Sequence, residues 1–209
     1  MASPQDDSTG VELLLGEATS LIESKLYNEA LHKLQRGLSM DPNNPKAWEK
    51  IAVCNLEMGK PKMAIEALNN LVRIQPNSQS GWADKGLIHL LLNETAEGIG
   101  ALQESVRLNP RRVRDWELLA SVLVTEERWD EAVEAIEITL DQNPNSAITW
   151  YNLALCYLYF EEYSLAIQTV QNALTLDPSL REIADEWIEM IDEDAISEEY
   201  PGISGIAAS

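Results

Sequence analysis

The sequence is poor in the residues that catalytic and metal sites need. It contains two histidines and two cysteines among 209 residues, and no Cys or His cluster has the spacing of a zinc site. No glycine-rich loop precedes a basic residue, as a phosphate-binding loop requires, and no set of Ser, His and Asp suggests nucleophilic catalysis. These absences argue against an enzyme, and we expect no metal and no cofactor.

Long apolar segments are missing as well. No hydrophobic run approaches the ~20 residues that span a bilayer. The first ten residues, MASPQDDSTG, have neither the basic nor the apolar region of a secretory signal. Two cysteines, Cys54 and Cys156, cannot build a disulfide framework. The sequence therefore predicts a reduced, cytoplasmic protein that does not enter a membrane.

Basic residues are scarce towards the C-terminus. Residues 129–209 contain 17 acidic residues and one basic residue, Arg181, and carry −16 of the total net charge of −20. Binding of phosphate groups needs Lys or Arg to displace counterions, so this charge argues against nucleic acid and anionic membranes as partners. It favours a basic partner. Alternatively, the acidity serves only solubility or a salty cytoplasm.

Proline and tryptophan, by contrast, recur with a period of 34 residues. The prolines are Pro42, Pro76, Pro110, Pro144 and Pro178, and the tryptophans are Trp48, Trp82, Trp116 and Trp150. A fixed period of this length is typical of stacked structural repeats. Each tryptophan lies six residues after a proline, which divides the chain into five units: 11–44, 45–78, 79–112, 113–146 and 147–180.

Two columns of small residues run through these units. The eighth position holds Ala18, Ala52, Gly86, Ala120 and Ala154, and the twentieth holds Ala30, Ala64, Gly98, Ala132 and Ala166. One small residue in each half of a unit lets two helices approach closely, and apolar residues recur in each half at steps of three and four. Proline then ends the second helix, because it has no N–H to continue it. Each unit is therefore predicted to be a helix–turn–helix.

The units resemble the tetratricopeptide repeat, whose pattern is W-x2-L-G-x2-Y followed by Ala, an aromatic or aliphatic residue, Ala and Pro. Residues 147–180, AITWYNLALCYLYFEEYSLAIQTVQNALTLDPSL, match this pattern almost throughout. The resemblance implies an all-α fold, a right-handed α-solenoid of five helix–turn–helix repeats. Residues 181–194 continue the frame as a C-terminal capping helix. Residues 1–10 and 195–209 are expected to be flexible tails.

Much of the aromatic and thiol content is predicted to be core. Positions 4, 7, 8 and 11 of a first helix pack against neighbouring helices, and in the fifth repeat these are Trp150, Leu153, Ala154 and Tyr157. Cys54 and Cys156 both occupy position 10, where a small residue is wanted, so we expect inert packing thiols. His89 occupies position 11 and is expected to be a core residue rather than a ligand.

The resemblance also implies a binding groove. In the family, positions 2, 5, 9, 12 and 13 of the first helices line the concave surface. The residues predicted to contact a partner there are Leu87, Leu90, Leu91, Arg114, Val124, Ile148, Tyr151, Leu155, Leu158, Tyr159, Glu182, Asp185 and Glu189. They form an apolar floor beside acidic residues of the capping helix, which suits a basic or amphipathic segment.

Family resemblance therefore implies a non-enzymatic protein–protein interaction scaffold, as an adaptor, an assembly factor or a chaperone-like holder of a client. Positions 5 and 9 lack the Lys and Asn of the family's carboxylate clamp, so an acidic peptide is not the expected ligand. The alternative is a structural, self-assembling protein. In that case its own tail or a second copy, in a homo-oligomer, covers the groove.

Overall fold

The computed structural model describes residues 4–188 and Ile191, and describes side chains from Thr9 onward. The regular secondary structure of these residues is entirely helical, and turns connect the helices. Eleven α-helices are described: α1 (Pro4–Glu23), α2 (Tyr27–Met40), α3 (Pro45–Glu57), α4 (Pro61–Ile74), α5 (Gln79–Leu91), α6 (Thr95–Leu108), α7 (Val113–Thr125), α8 (Trp129–Gln142), α9 (Ala147–Tyr159), α10 (Tyr163–Leu176) and α11 (Arg181–Ile188). The predicted all-α class, with five helix–turn–helix repeats and a capping helix, is confirmed.

The helices form two compact units. Unit 1, residues 1–109, contains α1–α6 and thus the first three repeats. Unit 2, residues 110–209, contains α7–α10 and the capping helix α11. Within each repeat the first helix packs against the second, and the second packs against the first helix of the following repeat in the same unit.

One hydrogen bond explains the spacing of proline and tryptophan. In each of four repeats the indole Nε1–H of the tryptophan donates to the carbonyl oxygen of the proline six residues earlier. The N···O distances are 3.0 Å for Trp48 and Pro42, 2.9 Å for Trp82 and Pro76, 2.9 Å for Trp116 and Pro110, and 2.8 Å for Trp150 and Pro144. The bond fixes the start of a first helix against the chain that leads into it.

The turn within each repeat has a constant backbone conformation. Its fifteenth position has a positive φ in all five repeats, between 56° and 68°, at Lys25, Gly59, Asn93, Glu127 and Glu161. This left-handed conformation is free of steric cost only for glycine. Asparagine tolerates it too, as at Asn93, so three of the five turns, at Lys25, Glu127 and Glu161, hold a side chain in a strained conformation that the 34-residue frame imposes.

The small-residue columns lie where the two helices of a repeat meet. In the third repeat, α5 and α6 meet at two glycines. A Cβ on Gly86 would lie 2.9 Å from Cγ of Leu102 and 3.2 Å from the carbonyl oxygen of Gly98. A Cβ on Gly98 would lie 2.7 Å from Cδ2 of Leu90. The two helices of the third repeat thus pack with less room than one methyl group needs.

The predicted core residues are mostly confirmed. Leu153 and Ala154 are buried, while Trp150 and Tyr157 are half-buried and pack against the C-terminal core of unit 2. The thiols of Cys54 and Cys156 are fully buried. Burial raises the pKa of both thiols, that of Cys156 to about 11. A thiol in such an environment is a packing group rather than a nucleophile.

The predicted ends are described only in part. Helix α1 begins at Pro4, so it includes residues 4–10 of the segment expected to be an N-terminal tail. The predicted tail at 195–209 lies outside the described residues. The same holds for part of the predicted capping helix, whose described α-helix runs from Arg181 to Ile188. Ile191, just beyond it, is buried in the core of unit 2.

Candidate functional site

In unit 2 the first helices of the repeats and the capping helix lie side by side. Helices α7 and α9 are in contact, and the side-chain amide of Asn152 donates to the hydroxyl of Ser121 at 3.0 Å. Helix α9 in turn is held to α11 through Tyr151 and Trp187. We call the surface of these three helices the first-helix face; its residues are Arg114, Ile148, Leu155, Leu158, Tyr159, Glu182 and Asp185.

The middle of this face is apolar and open to solvent. Ile148 and Tyr159 expose 47% and 57% of their surface, although both are large apolar or aromatic side chains. Leu155 and Leu158 lie on the same helix and are half-buried. Apolar side chains that remain exposed together usually mark a contact surface.

Two residues predicted for the groove are instead buried. Tyr151 exposes only 9% of its surface. Its hydroxyl accepts a hydrogen bond from the indole of Trp187 at 3.4 Å and donates to the carbonyl of Ile183 at 3.5 Å. Val124 is buried as well. Tyr151 therefore offers a partner little surface: a tyrosine at position 5 is long enough to reach the capping helix, and it joins that helix to α9. Contact of Tyr151 and Val124 with a partner stays a prediction.

The predicted groove residues of unit 1 differ in exposure. Leu91, at the end of α5, exposes 69% of its surface. Leu87 and Leu90 are half-buried, and Leu90 covers the space above Gly98. Leu91 is therefore the residue of this group most available to a partner. The last predicted residue, Glu189, lies outside the described residues.

Unit 2 is strongly negative as a whole. Unit 2 as a whole contains 21 acidic residues, five arginines and no lysine, a net charge of −16. On the face itself Glu182 and Arg114 are exposed, whereas Asp185 is half-buried and lies 3.8 Å from Arg181. That contact is exposed and contributes little to stability. A cationic segment would therefore be attracted to unit 2 as a whole.

An aromatic cluster that the sequence did not reveal lies at the edge of this face. The ring of Tyr159 stacks on Trp129, with centroids 4.7 Å apart and planes 20° apart. Phe160 meets Tyr159 edge-on at 5.4 Å and exposes 41% of its surface. The 34-residue frame could have shown the stack, since position 13 of one repeat lies near position 17 of the preceding one.

Residues that could bind a metal are scattered in the described part of the chain. No group of three or more His, Cys, Asp or Glu side chains there could hold a metal ion. His89 is buried, and its Nδ1 lies 2.7 Å from a carboxylate oxygen of Glu94, as expected of a core histidine with a partner. No helix among the described residues is both long and apolar enough to cross a membrane.

Two parts of the chain, residues 21–85 and 117–180, match family models described as tetratricopeptide repeat. The chain belongs to the tetratricopeptide repeat family. Members of this family are generally interaction scaffolds for other proteins, so membership indicates protein binding. No curated protein matches the sequence.

Solved tetratricopeptide repeat structures share the fold. A crystal structure of the MamA protein is 21% identical, with a TM-score of 0.73, and the match covers 84% of this chain and 96% of that one. MamA from Desulfovibrio magneticus RS-1 is 17% identical, with a TM-score of 0.69, over 81% and 96% of the two chains. YrrB, described as a TPR protein with an unusual peptide-binding site, is 20% identical, with a TM-score of 0.71, over 79% and 85%. At these identities the likeness concerns the fold.

Proposed function

We propose that this tetratricopeptide repeat protein is a non-enzymatic scaffold that binds a basic or amphipathic segment of a partner protein on the first-helix face of unit 2. The observation that carries the proposal is the exposure of Ile148 and Tyr159 next to the half-buried Leu155 and Leu158. A segment with apolar anchors would cover these side chains, as an amphipathic helix does in an apolar groove.

Charge supports the chemistry of this partner. The net charge of −16 on unit 2 draws cationic segments towards the face and disfavours acidic ones. Long-range attraction of this kind acts mainly on the association rate and weakens as the ionic strength rises. Binding is therefore expected to be faster and tighter at low salt. The affinity that remains at high salt is expected to come from contacts with the apolar side chains of the face.

The comparison with YrrB supports a peptide as ligand, because that protein has the same fold and is described as having a peptide-binding site. Within this proposal the protein acts in the cytoplasm as an adaptor, an assembly factor or a chaperone-like holder of its client. Neither nucleic acid nor a membrane surface is a partner in this account, since both present negative charge to an acidic protein.

A pair of double variants tests the proposal. Ile148→Lys/Leu155→Lys removes apolar contact and repels a basic segment. Leu165→Lys/Leu176→Lys adds the same charge at two exposed leucines of α10, a second helix of the same unit. Partners are captured from lysate by wild type and both variants, cross-linked and mapped. Circular dichroism and light scattering check the fold and the mass of each protein.

The expected result is a cross-linked segment rich in Lys or Arg that is lost with the face variant and kept with the control. Equal loss with both variants would contradict a site on the first-helix face. If the face variant instead converts a dimeric wild type into a monomer without changing its partners, the face is a surface for self-association and the proposal is wrong.

A further inference from the structure

The aromatic cluster of Trp129, Tyr159 and Phe160 has a geometry that leaves ring surface open. Trp129 begins α8, while Tyr159 ends α9 and Phe160 begins the turn that follows. Stacking on Trp129 covers one face of Tyr159, yet Tyr159 remains 57% exposed and Phe160 41% exposed. Three aromatic side chains from two adjacent repeats thus present a continuous π-rich surface to solvent.

This surface has no cation of its own in the described part of the chain, although the protein uses such a contact elsewhere. In unit 1 the ammonium group of Lys85 lies 5.0 Å above the ring of Trp82. Beside the cluster the nearest basic residue in the sequence is Arg128, and its guanidinium is bound to both carboxylate oxygens of Glu131 at 2.7 and 2.6 Å. The rings of the cluster are therefore available to a cation from another molecule.

Carboxylates flank the cluster on both sides. Glu126 and Glu127 lie in the turn before α8, Asp130 follows Trp129, and Glu161 and Glu162 follow Phe160. All five are exposed, and none forms an ion pair among the described residues. A cation held over the rings would also be attracted by these charges, and an anion would be repelled.

We propose that Trp129, Tyr159 and Phe160 form a subsite for an arginine or lysine side chain of a basic segment of a partner protein. The inference rests on the proposed function, because it names the cationic anchor of the client that binds the first-helix face. Tyr159 belongs to both surfaces, so a bound chain can run from the apolar floor to the cluster. Arginine suits the subsite best, since its planar guanidinium stacks on aromatic rings while its N–H groups reach carboxylates.

The probe for this subsite is the peptide Ac-GRGRGRG-NH2, compared with its uncharged citrulline counterpart. Both are titrated at low salt into the 15N-labelled full-length protein, and the indole N–H signal of Trp129 is assigned with a Trp129→Phe variant. We expect saturable shifts of the Trp129 indole and of the Tyr159 and Phe160 amides with the arginine peptide, and none with the citrulline peptide.

Variants distinguish binding by the aromatic rings from attraction by the general negative charge. Tyr159→Ala should weaken binding by roughly fivefold, the effect of losing one exposed cation–π contact, while Tyr159→Phe should keep it within about twofold. Glu161→Gln/Glu162→Gln should weaken binding more than Glu137→Gln/Asp141→Asn. The latter pair has the same change of charge but lies in α8, about two to three turns from Trp129.

Three results would overturn the subsite. The first is equal binding of the arginine and citrulline peptides, and the second is an affinity that falls equally with both pairs of carboxylate variants and not at all with Tyr159→Ala. The third is a set of saturable shifts confined to Ile148, Leu155 and Leu158, which would leave the proposed function standing while refuting the role of the aromatic cluster.

Discussion

Substitution of glycine by alanine should have opposite effects at two positions of the third repeat. Gly100 lies on the exposed side of α6, and a Cβ there would have no atom within 4 Å. Alanine is about 1 kcal/mol more favourable than glycine inside a helix, so Gly100→Ala should stabilise unit 1 by about that amount. At Gly86 the same gain in helix propensity is opposed by a steric clash with the fully buried Leu102.

The size of the clash sets the expected difference. A methyl group on Gly86 would lie 2.9 Å from Leu102 and 3.2 Å from the backbone oxygen of Gly98. Overpacking of this kind costs about 1–3 kcal/mol, which exceeds the helix gain of about 1 kcal/mol, so Gly86→Ala should destabilise by roughly 1 kcal/mol. The two variants should thus differ by about 2 kcal/mol although the chemical change is identical.

Urea unfolding followed by circular dichroism measures the free energy of unfolding of both variants and of wild type. The dependence of this free energy on urea concentration should be the same for all three proteins. Gly37→Ala is a matched control, because Gly37 is buried in α2 yet a Cβ there has nothing within 4 Å. It should behave like Gly100→Ala. If Gly86→Ala stabilises as much as the other two, α5 and α6 do not approach as closely as the distances from a Cβ on Gly86 indicate.

Three further predictions concern stability and reactivity. Glu127→Gly and Glu161→Gly should each raise stability by about 0.5–1 kcal/mol in thermal unfolding by releasing a left-handed backbone, whereas alanine at either position should give no gain. Ser164→Ala should be neutral or stabilising in urea unfolding, because the buried hydroxyl of Ser164 has no partner among the described residues. Ser105→Ala should destabilise, because the side-chain amide of Gln79 donates to the hydroxyl of Ser105 at 2.8 Å. Cys156 should resist a disulfide reagent at pH 8 until the protein unfolds, because burial raises its pKa to about 11. The pKa of its thiol is near 9 in the unfolded chain, so its contribution to stability is complete below that pH and is lost as the pH rises towards 11. Rapid modification of the folded protein would contradict the burial.

The repeat frame and the core were predictable because their causes are local and periodic. A proline and a tryptophan six residues apart recur since one hydrogen bond recurs, and the small columns recur since two helices must approach in each repeat. The turn position with a positive φ was less visible: Gly59 and Asn93 have residue types that a positive φ favours, while Lys25, Glu127 and Glu161 adopt it without any sign in their chemistry.

The candidate site was only partly predictable because its side chains depend on contacts between repeats. Position 5 is open to solvent in the family pattern, but at Tyr151 the capping helix covers it through Trp187. Tyr159 stacks on Trp129 of the preceding repeat. The two residues are 30 positions apart in the sequence, so the periodicity within a helix does not predict their contact. Exposure of Ile148 and Tyr159 agrees with their predicted positions, and their contact with a partner stays a prediction.

The affinity of the mapped partner segment, synthesised as a peptide, tests the central claim most directly. Titration calorimetry would compare wild type with Ile148→Lys/Leu155→Lys and with Leu165→Lys/Leu176→Lys. We expect the dissociation constant to be at least tenfold larger for the first variant, because the lost apolar burial contributes about 1.4 kcal/mol or more to the binding free energy. For the second variant we expect the dissociation constant to change by no more than about twofold. Equal affinities of the two variants would contradict binding on the first-helix face of unit 2.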